Sequence, residues 1–294
     1  MTKDDESFYK PEDTLFPPKI TLQIKGKLYL LAQPWIMGIL NITPDSFYSK
    51  SRWEGENQAV LVEAEKMLGQ GARILDIGGY SSRPGADDIS EKTELNRVIP
   101  VINSIKNKFP DVLISIDTFR HKIASEAVQA GADIVNDISG GGMDEHMIET
   151  VGHLGVPYVC MHMKGTPRTM QNLTSYNHLE KEILEYFSKK ISCCHQAGIK
   201  DVIMDLGLGF SKTLAQNYQL IRNLPFFKTL QVPLLIGVSR KSMIYKLLNC
   251  TPEDALNGTT ALNMAALMNG AQILRVHDVK ATNETIKLYK QIYP

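Results

Sequence analysis

Two hydroxyls and a guanidinium, those of Ser81, Ser82 and Arg83, follow directly on the short apolar run 74–77, and Pro84-Gly85 fixes the turn behind them. Other short apolar runs end in the same manner. Their last residues are Asn41, Asp117, Asn136-Asp137, His162, Asp205, Ser239-Arg240-Lys241 and Arg275-Val276-His277-Asp278. Carboxylates, carboxamides and cations at successive strand ends suit an α/β barrel, whose chemistry is assembled at the C-terminal ends of its strands. Two kinds of chemistry separate. Arg240, Lys241, Arg275 and His277, joined across the mouth by Arg83, supply bidentate and point-charge donors for an anion, so a phosphorylated ligand is expected. Asp117, Asn136 and Asp205 supply acceptors for a flat heterocycle rich in N–H donors, such as a pterin or purine edge. The two aspartates read alternatively as a metal pair or as a general acid and base. His162, flanked by Met161 and Met163, reads as readily as a packed side chain as a ligand.

Holding such residues on one rim requires a repeating scaffold, and the hydrophobic periodicity supplies one. Strand-like runs are expected at 35–40, 74–78, 113–117, 134–136, 158–162, 202–205, 234–238 and 273–276. Helical spacing is expected at 57–70, 91–108, 121–130, 144–154, 179–197, 214–224, 243–248 with 254–268, and 281–292. Strand and helix pairs of this number and length predict an α/β fold, a single (β/α)8 TIM barrel over residues 34–294. An open doubly wound sheet is the alternative. Residues 1–33 divide into a proline-containing arm and a short N-terminal hairpin, the latter alternating around Gly26 and expected to lie across one end of the barrel.

Composition narrows the function classes. The 294 residues, 43% of them hydrophobic, carry 32 basic and 32 acidic side chains. That balance argues against broad capture of nucleic acid or membrane and requires any anion site to be local. The four cysteines show no Cys-x-x-Cys spacing and read as reduced thiols. The polar N-terminus lacks the apolar run of a signal peptide, and no stretch reaches membrane-spanning length, so a cytoplasmic protein is expected.

Eight segments carry a resemblance. They are NITPDSF at 41–47, SSRPGA at 81–86, SIDT at 115–118, NDISG at 136–140, MHMKGTP at 161–167, DLGLGF at 205–210, SRKS at 239–242 and RVHDV at 275–279. In this order they resemble the dihydropteroate synthases of the pterin-binding TIM-barrel superfamily. The resemblance implies condensation of 6-hydroxymethyl-7,8-dihydropterin pyrophosphate with 4-aminobenzoate in folate biosynthesis. It implies catalytic roles for Asp117, Asp205, Lys241, Arg275 and His277, and a pterin site of Asp117, Asn136, Asp205 and Lys241. It also implies a pyrophosphate site of Asn41, Ser82, Arg83, Arg275 and His277, with Mg²⁺ held at Asn41. Ser82, Pro84, Phe210, Lys241 and Ser242 are the implied aminobenzoate residues, and loops near 42–54 and 80–89 would close over the substrates. A homodimer through the later barrel helices is implied as well. Tyr80 stands where many members carry Glu, Ser82 where Thr is common, and Leu206 where Pro is usual. Two other readings remain: a catalytically silent pterin-binding paralogue, and a methyltetrahydrofolate-type methyltransferase, which would have no use for the SSRPG turn or for Lys241, Arg275 and His277.

Overall fold

The computed structural model describes residues 20–42, 53–81 and 88–293. A hairpin comes first, β1 (Thr21–Ile24) against β2 (Lys27–Leu30), with Ile24 opposite Lys27. Its two turn residues, Lys25 and Gly26, both have positive φ, 49° and 75°, as a two-residue hairpin turn matching the strand twist requires.

Parallel strands then alternate with helices. The strands are β3 (Trp35–Asn41), β4 (Ile74–Gly78), β5 (Leu113–Asp117), β6 (Ile134–Asp137), β7 (Tyr158–Met161), β8 (Val202–Asp205), β9 (Leu234–Ile236) and β10 (Ile273–Val276). They close as a barrel in the order β10-β3-β4-β5-β6-β7-β8-β9, the architecture expected from the periodicity. The helices described are α1 (Trp53–Gly69), α2 (Glu91–Lys108), α3 (His121–Gln129), α4 (Met147–Leu154), α5 (Leu179–Gln196), α6 (Leu214–Arg222), α7 (Ser242–Leu248), α8 (Leu256–Met268) and α9 (Val279–Ile292). The helix expected over 214–224 stops at Arg222 and continues as a 3₁₀ segment, Leu224–Leu230, because Pro225 has no N–H to extend the α ladder. None of the described helices is long and apolar enough to cross a membrane.

Side chains alternate across each strand, and the two faces have different neighbours. Outward residues such as Leu75, Ile77, Ile114, Ile116, Val135 and Met204 join the helices in one large core. Inward residues change character along the axis. Met37, Ile74, Leu113, Ile134, Val159, Ile203, Leu235 and Ile273 pack with Leu22, Ile24, Leu31 and Trp35, so the hairpin plugs the barrel floor. Lys25 Nζ reaches Asp133 at 2.7 Å and the Gln23 N–H donates to Asp201 at 3.1 Å; these aspartates precede β6 and β8, which fixes the plug at the N-terminal end. The opposite end is thereby left for the polar residues.

Candidate active site

Two residues above the apolar floor, the inward positions become charged. Asp76 on β4 is fully buried, and its carboxylate accepts Arg275 Nε–H at 2.6 Å and the Asn136 amide at 3.1 and 3.3 Å. Arg275 Nη2 donates in turn to Asp117 at 2.6 Å. One guanidinium thus ties β10 to both β4 and β5. Burial would lower the Arg275 pKa, but the charges of Asp76 and then Asp117 raise it above the usual arginine value, so it stays a cation. Asp117 moves the other way: burial pushes its carboxyl above the usual range, against the pull of Arg275 and with the help of Asp76. Gly78 leaves room beside it. A Cβ there would lie 3.7 Å from both Asn41 Oδ1 and Asp117 Oδ2, so those two side chains share one gap.

Across the mouth, Asp205 ends β8 and accepts the Gly207 N–H at 2.8 Å. Burial raises its pKa, opposed first by the Lys241 charge. Lys241 caps α7, donates to the Leu208 carbonyl at 2.6 Å, and its Nζ sits 4.8 Å from the centre of the Phe210 ring. Its pKa falls to about 8 through burial, resisted by Asp205. Ser242 follows as the first residue of α7. His277, just past β10, engages Ser239 through both its ring and its backbone.

The pterin binding enzyme family matches residues 37–277. A dihydropteroate synthase of Haemophilus influenzae is 42% identical over 271 residues, covering 92% of this chain and 98% of its own. The chain belongs to the dihydropteroate synthase family. That of Escherichia coli K12 is also 42% identical, over 88% of this chain and 91% of its own. Among solved structures, the Yersinia pestis dihydropteroate synthase with a sulfonamide drug complex superposes with a TM-score of 0.86 at 41% identity, covering 93% and 99% of the two chains. The Xanthomonas albilineans dihydropteroate synthase with 4-aminobenzoic acid gives 0.85 at 35% identity, covering 93% and 98%.

As a dihydropteroate synthase the chain is a transferase, and its expected site residues can be located. Asn41, Asp117, Asn136, Asp205, Phe210, Lys241, Ser242, Arg275 and His277 all lie on barrel strands or on the segments that follow their C-terminal ends. Ser82, Arg83 and Pro84 lie outside the described residues. Arg240 does not join the anion group: at φ 54° it turns to a bidentate pair with Asp278, at 2.9 and 2.6 Å, and clamps the segments after β9 and β10 to each other. Asp137, although next to Asn136, faces outward and is held by Tyr158 Oη and by the Ser139 and Gly141 N–H groups, each at 2.7 Å. His162 is buried and neutral, its pKa pulled down to about 2 by burial. Its ring meets Tyr186 edge-on at 4.8 Å.

Of the buried charges that the sequence did not single out, which include Glu94 and Asp133, two bear on the site. Asp76 sits inside an apolar run, and the available signal was that a carboxylate at an inward strand position must have a partner. Lys212 is the other. Its ammonium lies 3.1 Å from His162 Nδ1 and 3.0 to 3.4 Å from the carbonyls of Phe210, Gly207 and His162, tying the segment after β7 to the loop after β8. Only glycine fits at 207, where φ is 65° and a Cβ would collide with the His162 carbonyl. Of the departures, Tyr80 packs edge-on against Phe119 at 5.0 Å beneath the Arg120 guanidinium, and Leu206 is buried in the outer core.

Proposed function

We propose that the polar layer divides the dihydropteroate synthase reaction between acceptors that hold the pterin and donors that draw off its pyrophosphate. The family's reaction joins 6-hydroxymethyl-7,8-dihydropterin pyrophosphate to 4-aminobenzoate, giving 7,8-dihydropteroate and pyrophosphate. The observation that carries the division is the fully buried Asp76 carboxylate, which pulls Arg275 and Asn136 into one layer beside Asp117. Asp117, Asn136 and Asp205, with Lys241, bind the ring's N–H and carbonyl edge. As the C–O bond breaks, its electron pair leaves with the pyrophosphate, which Arg275 and His277 stabilise together with Asn41, Ser82 and Arg83. Arg275 gives its Nε–H and one Nη2–H to carboxylates, and its Nη1 hydrogens would serve the anion. The carbon left behind is cationic and conjugated with the ring, and Asp117 and Asp205 act as fixed negative charges beside it in a site shielded from water.

The aromatic amine then attacks, and as the C–N bond forms its proton passes to water. Ser82, Pro84, Phe210, Lys241 and Ser242 would hold the aminobenzoate. No side chain has to act as a strong base, because the amine is already neutral and its electrophile highly activated. Mg²⁺ would be held at Asn41, whose side-chain oxygen lies with Asp117 at the gap beside Gly78, because this ion commonly takes one or two protein oxygens with phosphate and water. When bound it supplies positive charge for the departing oxygens.

A homodimer belongs to the same proposal, supported by the exposed Leu247, Leu248, Leu256 and Met268 on α7 and α8, and so does a cytoplasmic location. Incubation with the pterin pyrophosphate, 4-aminobenzoate and Mg²⁺ should release dihydropteroate and pyrophosphate in equal amounts. Arg275→Ala should impair use of the pyrophosphate substrate far more than binding of a pterin lacking phosphates. Equal loss for both would refute the division of labour, and binding without turnover would favour the silent paralogue.

A further inference from the structure

Ser239 is 4% exposed, and its Oγ meets two atoms of one residue: the backbone nitrogen and the ring Nδ1 of His277, both at 3.1 Å. A backbone N–H can only donate, so the serine oxygen accepts there. The single hydroxyl proton must then find its own acceptor. Among the described residues, His277 Nδ1 is the acceptor within reach of it. A buried O–H left without a partner is costly, so the proton goes to Nδ1, which must carry a lone pair. The ring's own proton is thereby assigned to Nε2.

We infer that Ser239 is a positioning residue that sets the tautomer of His277, so that the ring presents Nε2–H as a neutral donor to the leaving pyrophosphate. The inference rests on the reading of His277 as a pyrophosphate residue. The opposite tautomer would strand the serine proton and turn a lone pair toward an anion. The imidazolium would also need a proton on Nδ1, so the same bond disfavours it. Because the same Oγ holds the His277 backbone, the tautomer and the location of the ring are fixed by one group.

The test is ¹⁵N NMR of the imidazole nitrogens in histidine-labelled full-length protein at neutral pH, with the His277 signals assigned by their loss in His277→Gln. The expected wild-type spectrum shows a protonated Nε2 and an unprotonated Nδ1. Ser239→Thr, which keeps the hydroxyl, should preserve it, and Ser239→Ala should give a mixture of tautomers. In turnover, Ser239→Ala should lower kcat about tenfold, the size of one ordinary hydrogen bond, with the KM for aminobenzoate unchanged and Ser239→Thr restoring the rate. A wild-type ring protonated at Nδ1, or a Ser239→Ala spectrum identical to wild type, overturns the inference. Failure of the underlying reading looks different: the tautomer would be as stated, but His277→Gln would turn over the pyrophosphate substrate at the wild-type rate.

Discussion

Asp76→Asn is the sharpest probe of the site, because it removes a charge and almost no volume. In the wild type both carboxylate oxygens are occupied, one by Arg275 Nε–H at 2.6 Å and by the Asn136 amide at 3.1 Å, the other by the same amide at 3.3 Å. The substituted amide keeps the oxygen that Arg275 and Asn136 share but sets its own NH₂ against the NH₂ of Asn136, so one buried donor has no acceptor. Breaking a buried ion pair costs about 3–5 kcal/mol; the retained oxygen and the Asp117 contact put this substitution at the lower end, about 3 kcal/mol. That is roughly a hundredfold in the unfolding equilibrium, or about 6–12 °C in Tm for a chain of this size. Thermal denaturation followed by circular dichroism measures the shift, and calorimetry with a pterin lacking phosphates should show weakened binding as the facing NH₂ group pushes Asn136 from its place. In a cycle with Arg275→Met, the double variant should be more stable than the sum of the single losses by at least ~1 kcal/mol. A Tm within about 2 °C of wild type, or strict additivity in the cycle, would refute the claim that Asp76 organises this layer.

Other outcomes follow from the same charges. The pH profile of kcat/KM should be bell-shaped, with an alkaline limb near the Lys241 value of about 8 and an acid limb above the ordinary carboxylate range, set by Asp205 and Asp117, whose pKa values burial raises. Lys241→Arg should abolish the alkaline limb; its persistence would assign that limb elsewhere. Stability should run the opposite way over that interval: between about 8 and the ordinary 10.5 the unfolded chain still binds the Lys241 proton that the folded chain has released, so this residue's contribution to stability rises with pH. A fall attributable to Lys241 in urea midpoints over that range would contradict the sign. Asp205→Asn should weaken pterin binding by about 1.5–3 kcal/mol, the worth of a hydrogen bond to a charged group, and unchanged calorimetric affinity would remove Asp205 from the pterin site. Sulfonamides, as aminobenzoate mimics, should compete with that substrate in initial-rate kinetics, and purely noncompetitive inhibition would undermine the Phe210, Lys241 and Ser242 pocket.

The run of polar residues that close apolar strands, from Asn41 through Asp117 and Asp205 to His277, was legible without coordinates, because a two-residue period fixes which face of its own strand each residue occupies. The barrel followed from the same periodicity repeated around the chain. The partners did not. Asp76 and Arg275 are 199 residues apart, and only closure of β10 onto β3, beside which β4 lies, makes the aspartate in an apolar run the counter-ion of an arginine near the other end of the chain. Arg240 and Lys241 are neighbours of like charge, yet a positive φ sends the first to Asp278 and leaves the second among Leu208, Phe210 and Asp205. Lys212 acquires its meaning solely from carbonyls that two adjacent strand ends bring to one point. Local spacing determines direction along and across a strand, whereas pairing between distant charges depends on which strands become neighbours, and that is decided when the sheet closes.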